Sequence, residues 1–256
     1  MRTLYNKFDK KSLANLPIVA FDKKIVVVNN TFDAEKAVDF LLKQDMLGFD
    51  TETRPSFQRG NVNQVALLQI CAEDVCFLFR LNHIDIPDCL IRILTDTKIT
   101  KVGLSLRDDL SVLRRRREFT PGTFIELQQF VKEFGIEDMS LQKLFANVFR
   151  QKISKNQQLT NWEADILTDK QKLYAATDAW SCIMIYKELC RLKNEGYELK
   201  VLPQEPVVSD EKEANQEPVE IKLPPEGKKS SSRGRKKRVS KKREKKLKEK
   251  YIIMMI

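Results

Sequence analysis

Histidine is nearly absent from this chain: His83 is the one copy in 256 residues. Cysteine is sparse and odd in number, with Cys71, Cys76, Cys89, Cys182 and Cys190 forming no Cys-x-x-Cys pair. A zinc site of the usual nitrogen and sulfur donors is therefore not expected. A disulfide framework is equally unsupported, and the expectation is reduced, mostly buried thiols in an intracellular protein. No stretch approaches the roughly 20 apolar residues of a membrane span, and residues 1–11 are charged where a signal peptide would be apolar. These features predict a cytoplasmic protein, or a nuclear one if the source is eukaryotic, with no membrane partner.

Net charge is present but unevenly placed. From Glu205 onward sixteen Lys and Arg face nine Asp and Glu, so +7 of the formal +10 sits there and +3 on the residues before it. Any basic groove on the body must come from placement, not from bulk charge. After Val201 five prolines sit among acidic and polar residues without periodicity, followed by a lysine-rich run over 228–250 and an apolar end, Tyr251 to Ile256. This composition predicts a domain over residues 20–200 and a disordered linker and basic tail over 203–256. The tail reads as a nuclear-localisation signal, a solubilising segment or a nucleic-acid tether, and its charge alone favours a salt-dependent tether.

Within the body, Ile25 to Val28 reads as a buried strand and residues 33–43 as an amphipathic helix. Residues 47–54 form the next strand, followed by a polar loop around Gln58 to Asn61. Two further strands, 65–71 and 75–79, flank a turn at Glu73-Asp74. Helix over 87–94, strand over 98–103 and helix over 104–117 follow. Two helices are expected over 124–134 and 140–149, separated by Gly135. Thr168-Asp-Lys-Gln171 matches a capping box and opens a long last helix to about Leu192. Strands first, then helices around one more strand, predict a mixed sheet covered by helices.

The informative stretch is Phe49-Asp50-Thr51-Glu52-Thr53. Side chains alternate along a strand, so Asp50 and Glu52 emerge together while Thr51 points away. Two adjacent carboxylates repel unless a counter-charge is supplied, and Mg²⁺ or Mn²⁺ suits oxygen donors. Further carboxylates come from Asp108 or Asp109, after the strand ending at Gly103, and from Asp178. Tyr174 and Asp178 share a helix face at i,i+4. Four carboxylates suffice for two divalent ions about 4 Å apart, the arrangement suited to in-line attack on a phosphodiester. Tyr174 would then orient the attacking water, since a phenol of pKa near 10 is a poor base at neutral pH.

Taken alone, an Asp-x-Glu is usually a solvated strand edge, and a Tyr-x-x-x-Asp an ordinary surface pair. Three stretches in order are harder to dismiss. Residues 49–53, Val102-Gly103 through Asp109-Leu110, and Tyr174-Ala-Ala-Thr-Asp178-Ala resemble the three motifs of the DEDD superfamily of 3′→5′ exonucleases, in its tyrosine-bearing branch. Within that branch they most resemble the exonuclease domain of the Werner-syndrome helicase and, more distantly, ribonuclease D. Ser154-Lys155 and Leu159-Thr160-Asn161-Trp162 also resemble the segment before the third motif.

The resemblance spans about residues 20–195. It implies a ribonuclease-H-like α/β fold, a mixed sheet flanked by helices, and Asp50, Glu52, Asp109 and Asp178 as ligands of two Mg²⁺ or Mn²⁺ ions. Tyr174 completes the catalytic set. The implied activity is removal of nucleotides as 5′-monophosphates from a DNA or RNA 3′ end. The alternative is a non-catalytic nucleic-acid-binding module on the same fold. A two-carboxylate glycosidase fits poorly, because Asp50 and Glu52 sit on one strand and cannot flank a sugar. His83 is expected in a loop or packed. Arg114 to Arg117 read as a phosphate-facing patch or a solvated helix face, and Trp162 as a buried residue at the helix junction or a base-stacking platform.

Overall fold

The computed structural model describes residues 2–56 and 63–202. The loop expected around Gln58 to Asn61 and the tail expected over 203–256 lie outside the described residues. In chain order the elements are β1 (Arg2–Tyr5), α1 (Lys10–Ala14), β2 (Lys24–Val28), α2 (Thr31–Leu41), β3 (Met46–Thr53), β4 (Val65–Cys71) and β5 (Val75–Arg80). Then come α3 (Leu81–Ile84), α4 (Asp88–Thr95), β6 (Thr100–Gly103), α5 (Leu106–Arg116), β7 (Phe124–Glu126), α6 (Leu127–Phe130), α7 (Leu141–Phe149), α8 (Asp169–Glu195) and β8 (Tyr197–Lys200). No helix among the described residues is long and apolar enough to cross a membrane.

Six strands form one sheet in the order β2-β5-β4-β3-β6-β7. β4 runs antiparallel to both β3 and β5, whereas β2–β5, β3–β6 and β6–β7 are parallel. This is the expected mixed sheet. Its two faces follow from strand alternation. On one face Leu47 and Phe49 of β3 pack with Ala34, Val38 and Leu41 of α2, Leu90 and Ile93 of α4, and Leu113 of α5. On the other face α8 lies across β3, β4, β5 and β6. Each fully buried Leu or Phe in these layers contributes about 1.5–3 kcal/mol relative to exposure.

α8 begins where the capping box predicts. Thr168 Oγ1 accepts from Gln171 N at 3.2 Å, and Gln171 Oε1 accepts from Thr168 N at 3.0 Å. The Gln171 amide also donates to Thr160 Oγ1 and Asn161 O, both at 3.1 Å, which fastens the segment preceding the helix. Gly48 then sets the approach of α8 to the sheet. A Cβ at Gly48 would lie 2.0 Å from the carbonyl oxygen of Ala179. Only a residue without a side chain allows β3 and α8 to come this close.

Four expectations need correction. Residues 124–126 are a strand, because the backbone of 124–126 is claimed by β6, and the helical segments start only at Leu127. Residues before 20 are structured: β1 pairs in parallel with β8 as a separate two-stranded sheet. Cys71 and Cys76, directly opposite across the β4–β5 hairpin with Cα atoms 4.0 Å apart, form a disulfide. Cys89, Cys182 and Cys190 are free thiols. The arginine run is neither a patch nor a uniform solvated face. Arg116 donates to the carbonyls of Val65 at 2.6 Å and Leu81 at 2.8 Å, and Arg117 donates to Ile86 O at 2.8 Å. Arg116 therefore ties the end of α5 to β4 and α3, and Arg117 ties the residue after it to the segment before α4.

Candidate active site

The site forms where β3 passes under α8. Asp50 and Glu52 lie on the α8 face of β3, two residues beyond Gly48, and the strand ladder shifts register immediately after Glu52. A register shift at such a point re-aims the strand and ends regular pairing. Asp178 precedes Ala179, the residue whose carbonyl meets Gly48, so the close approach of the two elements carries its carboxylate to the sheet. Ligand oxygens of Asp50, Glu52 and Asp178 all lie within 4.8 Å of one another. Glu52 and Asp178 are buried and Asp50 is half-buried.

Asp109 reaches the same cleft from the other side of β3. Glu126 accepts from the backbone N–H groups of Ser105 at 3.0 Å and Leu106 at 2.7 Å, capping the start of α5. Ser105 adopts a left-handed conformation, φ 64°, to make this turn. Asp109 then lines the cleft, whereas Asp108 is exposed. Thr51 Oγ1 donates to Asp109 Oδ1 at 2.5 Å, and Oδ2 of Asp109 is buried with no partner among the described residues. The Asp109 oxygens stand outside the tight Asp50–Glu52–Asp178 group.

Electrostatics follow from this crowding. Two unit charges about 4 Å apart repel by roughly 4 kcal/mol at an effective dielectric near 20, so the group resists full ionisation by itself. Burial, reinforced by Asp109, Asp178 and Glu52, holds the Asp50 carboxyl well above the usual carboxylate range. Glu52 is pushed up to about 9 by burial and then by Asp178 and Asp109. Asp109 rises to about 7 through burial, against the lowering pull of the Thr51 hydrogen bond. Asp178 also rises to about 7 through burial, opposed by the Tyr174 hydrogen bond and by the charge of Lys155. The Tyr174 phenol is itself driven upward by burial and by these carboxylates, so it keeps its proton.

Asp50, Glu52, Asp109, Tyr174 and Asp178 thus line one cleft of about 280 Å³. Ser140, Leu141 and Gln142 at the start of α7, together with Ser154, Lys155 and Gln158, also line it. An all-oxygen donor set, carboxyls that resist ionising unaided and an orphaned Asp109 oxygen fit hard divalent cations such as Mg²⁺ or Mn²⁺. His83, expected in a loop or packed, instead sits exposed on the short α3. Trp162 is fully buried, its ring 6.0 Å from that of Tyr174. Sequence reasoning gave no role to Thr51, Glu126 or Lys155. Their parts depend on cross-element contacts, and alternation directs Thr51 away from the two carboxylates beside it.

Residues 25–192 match the family model described as 3′-5′ exonuclease. The bifunctional 3′-5′ exonuclease/ATP-dependent helicase WRN of Mus musculus is 32% identical over 188 residues, which is 70% of this chain and 13% of that protein. The chain therefore spans only a small part of this relative's length. Among solved structures, the Nibbler EXO domain of Aedes aegypti superposes with a TM-score of 0.62 at 19% identity, over 70% of this chain and 95% of that one. Escherichia coli RNase D, an exoribonuclease involved in structured RNA processing, gives 0.60 at 21% identity, over 68% and 46%. At these identities the structural likeness speaks for the fold.

Proposed function

This chain belongs to the 3′-5′ exonuclease family, in the tyrosine-bearing DEDD branch of the ribonuclease D superfamily, and we propose that it hydrolyses phosphodiester bonds one nucleotide at a time from a nucleic-acid 3′ end. The observation that carries the reading is the convergence of the Asp50, Glu52 and Asp178 oxygens within 4.8 Å, beside Tyr174 and Asp109. Two divalent cations held by Asp50, Glu52, Asp109 and Asp178 would lower the pKa of the attacking water and steady the leaving oxygen.

The chain's own groups do the rest. Tyr174 stays protonated and is anchored to Asp178, so its oxygen can accept from the attacking water and orient it. Lys155 lies close enough to act on Asp178 and brings a positive charge to the phosphate's non-bridging oxygens. Attack on phosphorus breaks its bond to the 3′ oxygen of the preceding nucleotide. A 5′-monophosphate leaves, and the shortened strand keeps a 3′-hydroxyl. The substrate is a nucleic acid with a free 3′ end; RNase D's role in RNA processing supports RNA as one candidate.

The test is polarity. With strands labelled at either end, the 3′ label should appear at once as a 5′-mononucleotide while the 5′ label moves down a ladder. Release of the 5′ label first, or of internal fragments, would refute the reading.

A further inference from the structure

β4 is an apolar strand with one exception. Its sequence is Val-Ala-Leu-Leu-Gln-Ile-Cys, and every residue is buried, including Gln69 at 0% exposure. Both polar atoms of the Gln69 side chain, Oε1 and Nε2, are buried with no hydrogen-bond partner among the described residues. Leaving such an amide unsatisfied costs about 1–3 kcal/mol, so a role is needed to explain it.

Strand register says where this amide is. Gln69 lies directly opposite Asp50 on β3 and opposite Leu78 on β5. Directly opposed residues of an antiparallel pair share a face, with Cβ atoms about 4.5–5.5 Å apart. Along β4 it is flanked on that face by Leu67 and Cys71, both packed with Ala175, Ala176 and Ala179 of α8. Of the residues directly opposite it, Asp50 alone offers a polar group.

We infer that Gln69 is a positioning residue for Asp50. When the site is loaded and Asp50 is ionised, the Gln69 amide N–H donates to the carboxylate oxygen not engaged by the cation, fixing the carboxylate's rotation. This rests on the proposed metal-dependent reading of the same site. A hydrogen-bonded carboxylate behind a metal is a recurrent arrangement, and its loss typically weakens metal affinity 10–100-fold.

The test is thermal unfolding of the full chain in chelator and across a Mn²⁺ titration, for wild type, Gln69→Leu, Gln69→Met and Asp50→Asn. Removing an unsatisfied amide from the core should leave the chelated Tm of Gln69→Leu equal to or above wild type. Its Mn²⁺ midpoint should rise at least tenfold. A purely structural Gln69 gives the opposite pattern, a lowered chelated Tm and an unchanged midpoint, and that result overturns the inference. Gln69→Met, of similar length, must show the same midpoint shift should the Leu variant fold poorly. Asp50→Asn separates the two levels: loss of the Mn²⁺ response there with a wild-type midpoint in both Gln69 variants refutes Gln69 alone. A wild-type midpoint in Asp50→Asn refutes the metal reading and the Gln69 inference with it.

Discussion

The hydroxyl of Thr51 donates to the carboxylate of Asp109 across 2.5 Å, tying α5 to the strand that bears Asp50 and Glu52. Thr51 points away from its two acidic neighbours, yet it serves the same site from behind. Its hydrogen bond lowers the Asp109 pKa, so its removal raises it further. Protons then compete better with the cation at neutral pH. Thr51→Val should increase the Mg²⁺ concentration for half-maximal activity at pH 7 by about tenfold, from a hydrogen bond to a charged group of about 1.5 kcal/mol. Thr51→Ser should restore it, and the defect should shrink by pH 9. A Val variant with unchanged Mg²⁺ dependence would show the contact to be incidental.

Stability should carry the opposite pH trend to an ordinary salt-bridged protein. Asp50, Glu52, Asp109 and Asp178 all have pKa values raised above their unfolded values near 4, two of them to about 7 and Glu52 to about 9. The folded state therefore binds more protons than the unfolded one. Its stability is full below about pH 4 as far as these groups are concerned, and it falls as pH rises through about 5 to 9. In chelator, Tm should decline across this window; excess Mg²⁺ should flatten the decline, and Glu52→Gln should reduce its slope. Differential scanning calorimetry at stepped pH reads all three, and a Tm rising with pH in chelator contradicts the electrostatic account.

Tyr174 acts by position. Tyr174→Phe keeps the ring against Trp162 but loses the hydroxyl, and turnover should drop by about 10²-fold. The Mn²⁺ midpoint for thermal stabilisation at pH 8.5, above the value of about 7 for Asp178, should stay put. A midpoint shifted as far as the rate would make Tyr174 part of the cation site.

Gly48 is where the fold and the chemistry depend on one missing side chain. In Gly48→Ala the new Cβ meets the backbone of Ala179, which has no rotamer to yield. The expected loss is about 3 kcal/mol, at the upper end of overpacking costs, together with activity, because α8 and Asp178 must move off the sheet. Urea denaturation of this variant beside Ala179→Gly checks it; a stability within 0.5 kcal/mol, a margin about that of neutral surface changes, would show that the two backbones are less tightly apposed.

Much of this was readable beforehand where physics is local. Alternation placed Asp50 and Glu52 together, and the Thr168–Gln171 box opened α8. The Phe124–Glu126 strand was hidden because Phe-Ile-Glu-Leu-Gln-Gln-Phe also fits helical spacing, and only pairing with β6 decides between them. β1 and β8 are four-residue strands from opposite ends of the described chain, too short to signal a partnership. The disulfide and the Gln69–Asp50 juxtaposition both depend on strand register, which one sequence states only through its turns. Thr51 and Glu126 were missed for the same reason: each acts on a residue brought near by the fold.

The most direct test of the central claim incubates 5′-labelled single-stranded RNA and DNA with the full chain in Mg²⁺, Mn²⁺ or EDTA, with Asp178→Asn in parallel. A ladder shortening stepwise from the 3′ end is expected on at least one of the two strands, present with either metal, abolished by EDTA, restored on metal addition and absent in the variant. Degradation that persists in EDTA or in Asp178→Asn, or intact binding with no degradation under any condition, would contradict it.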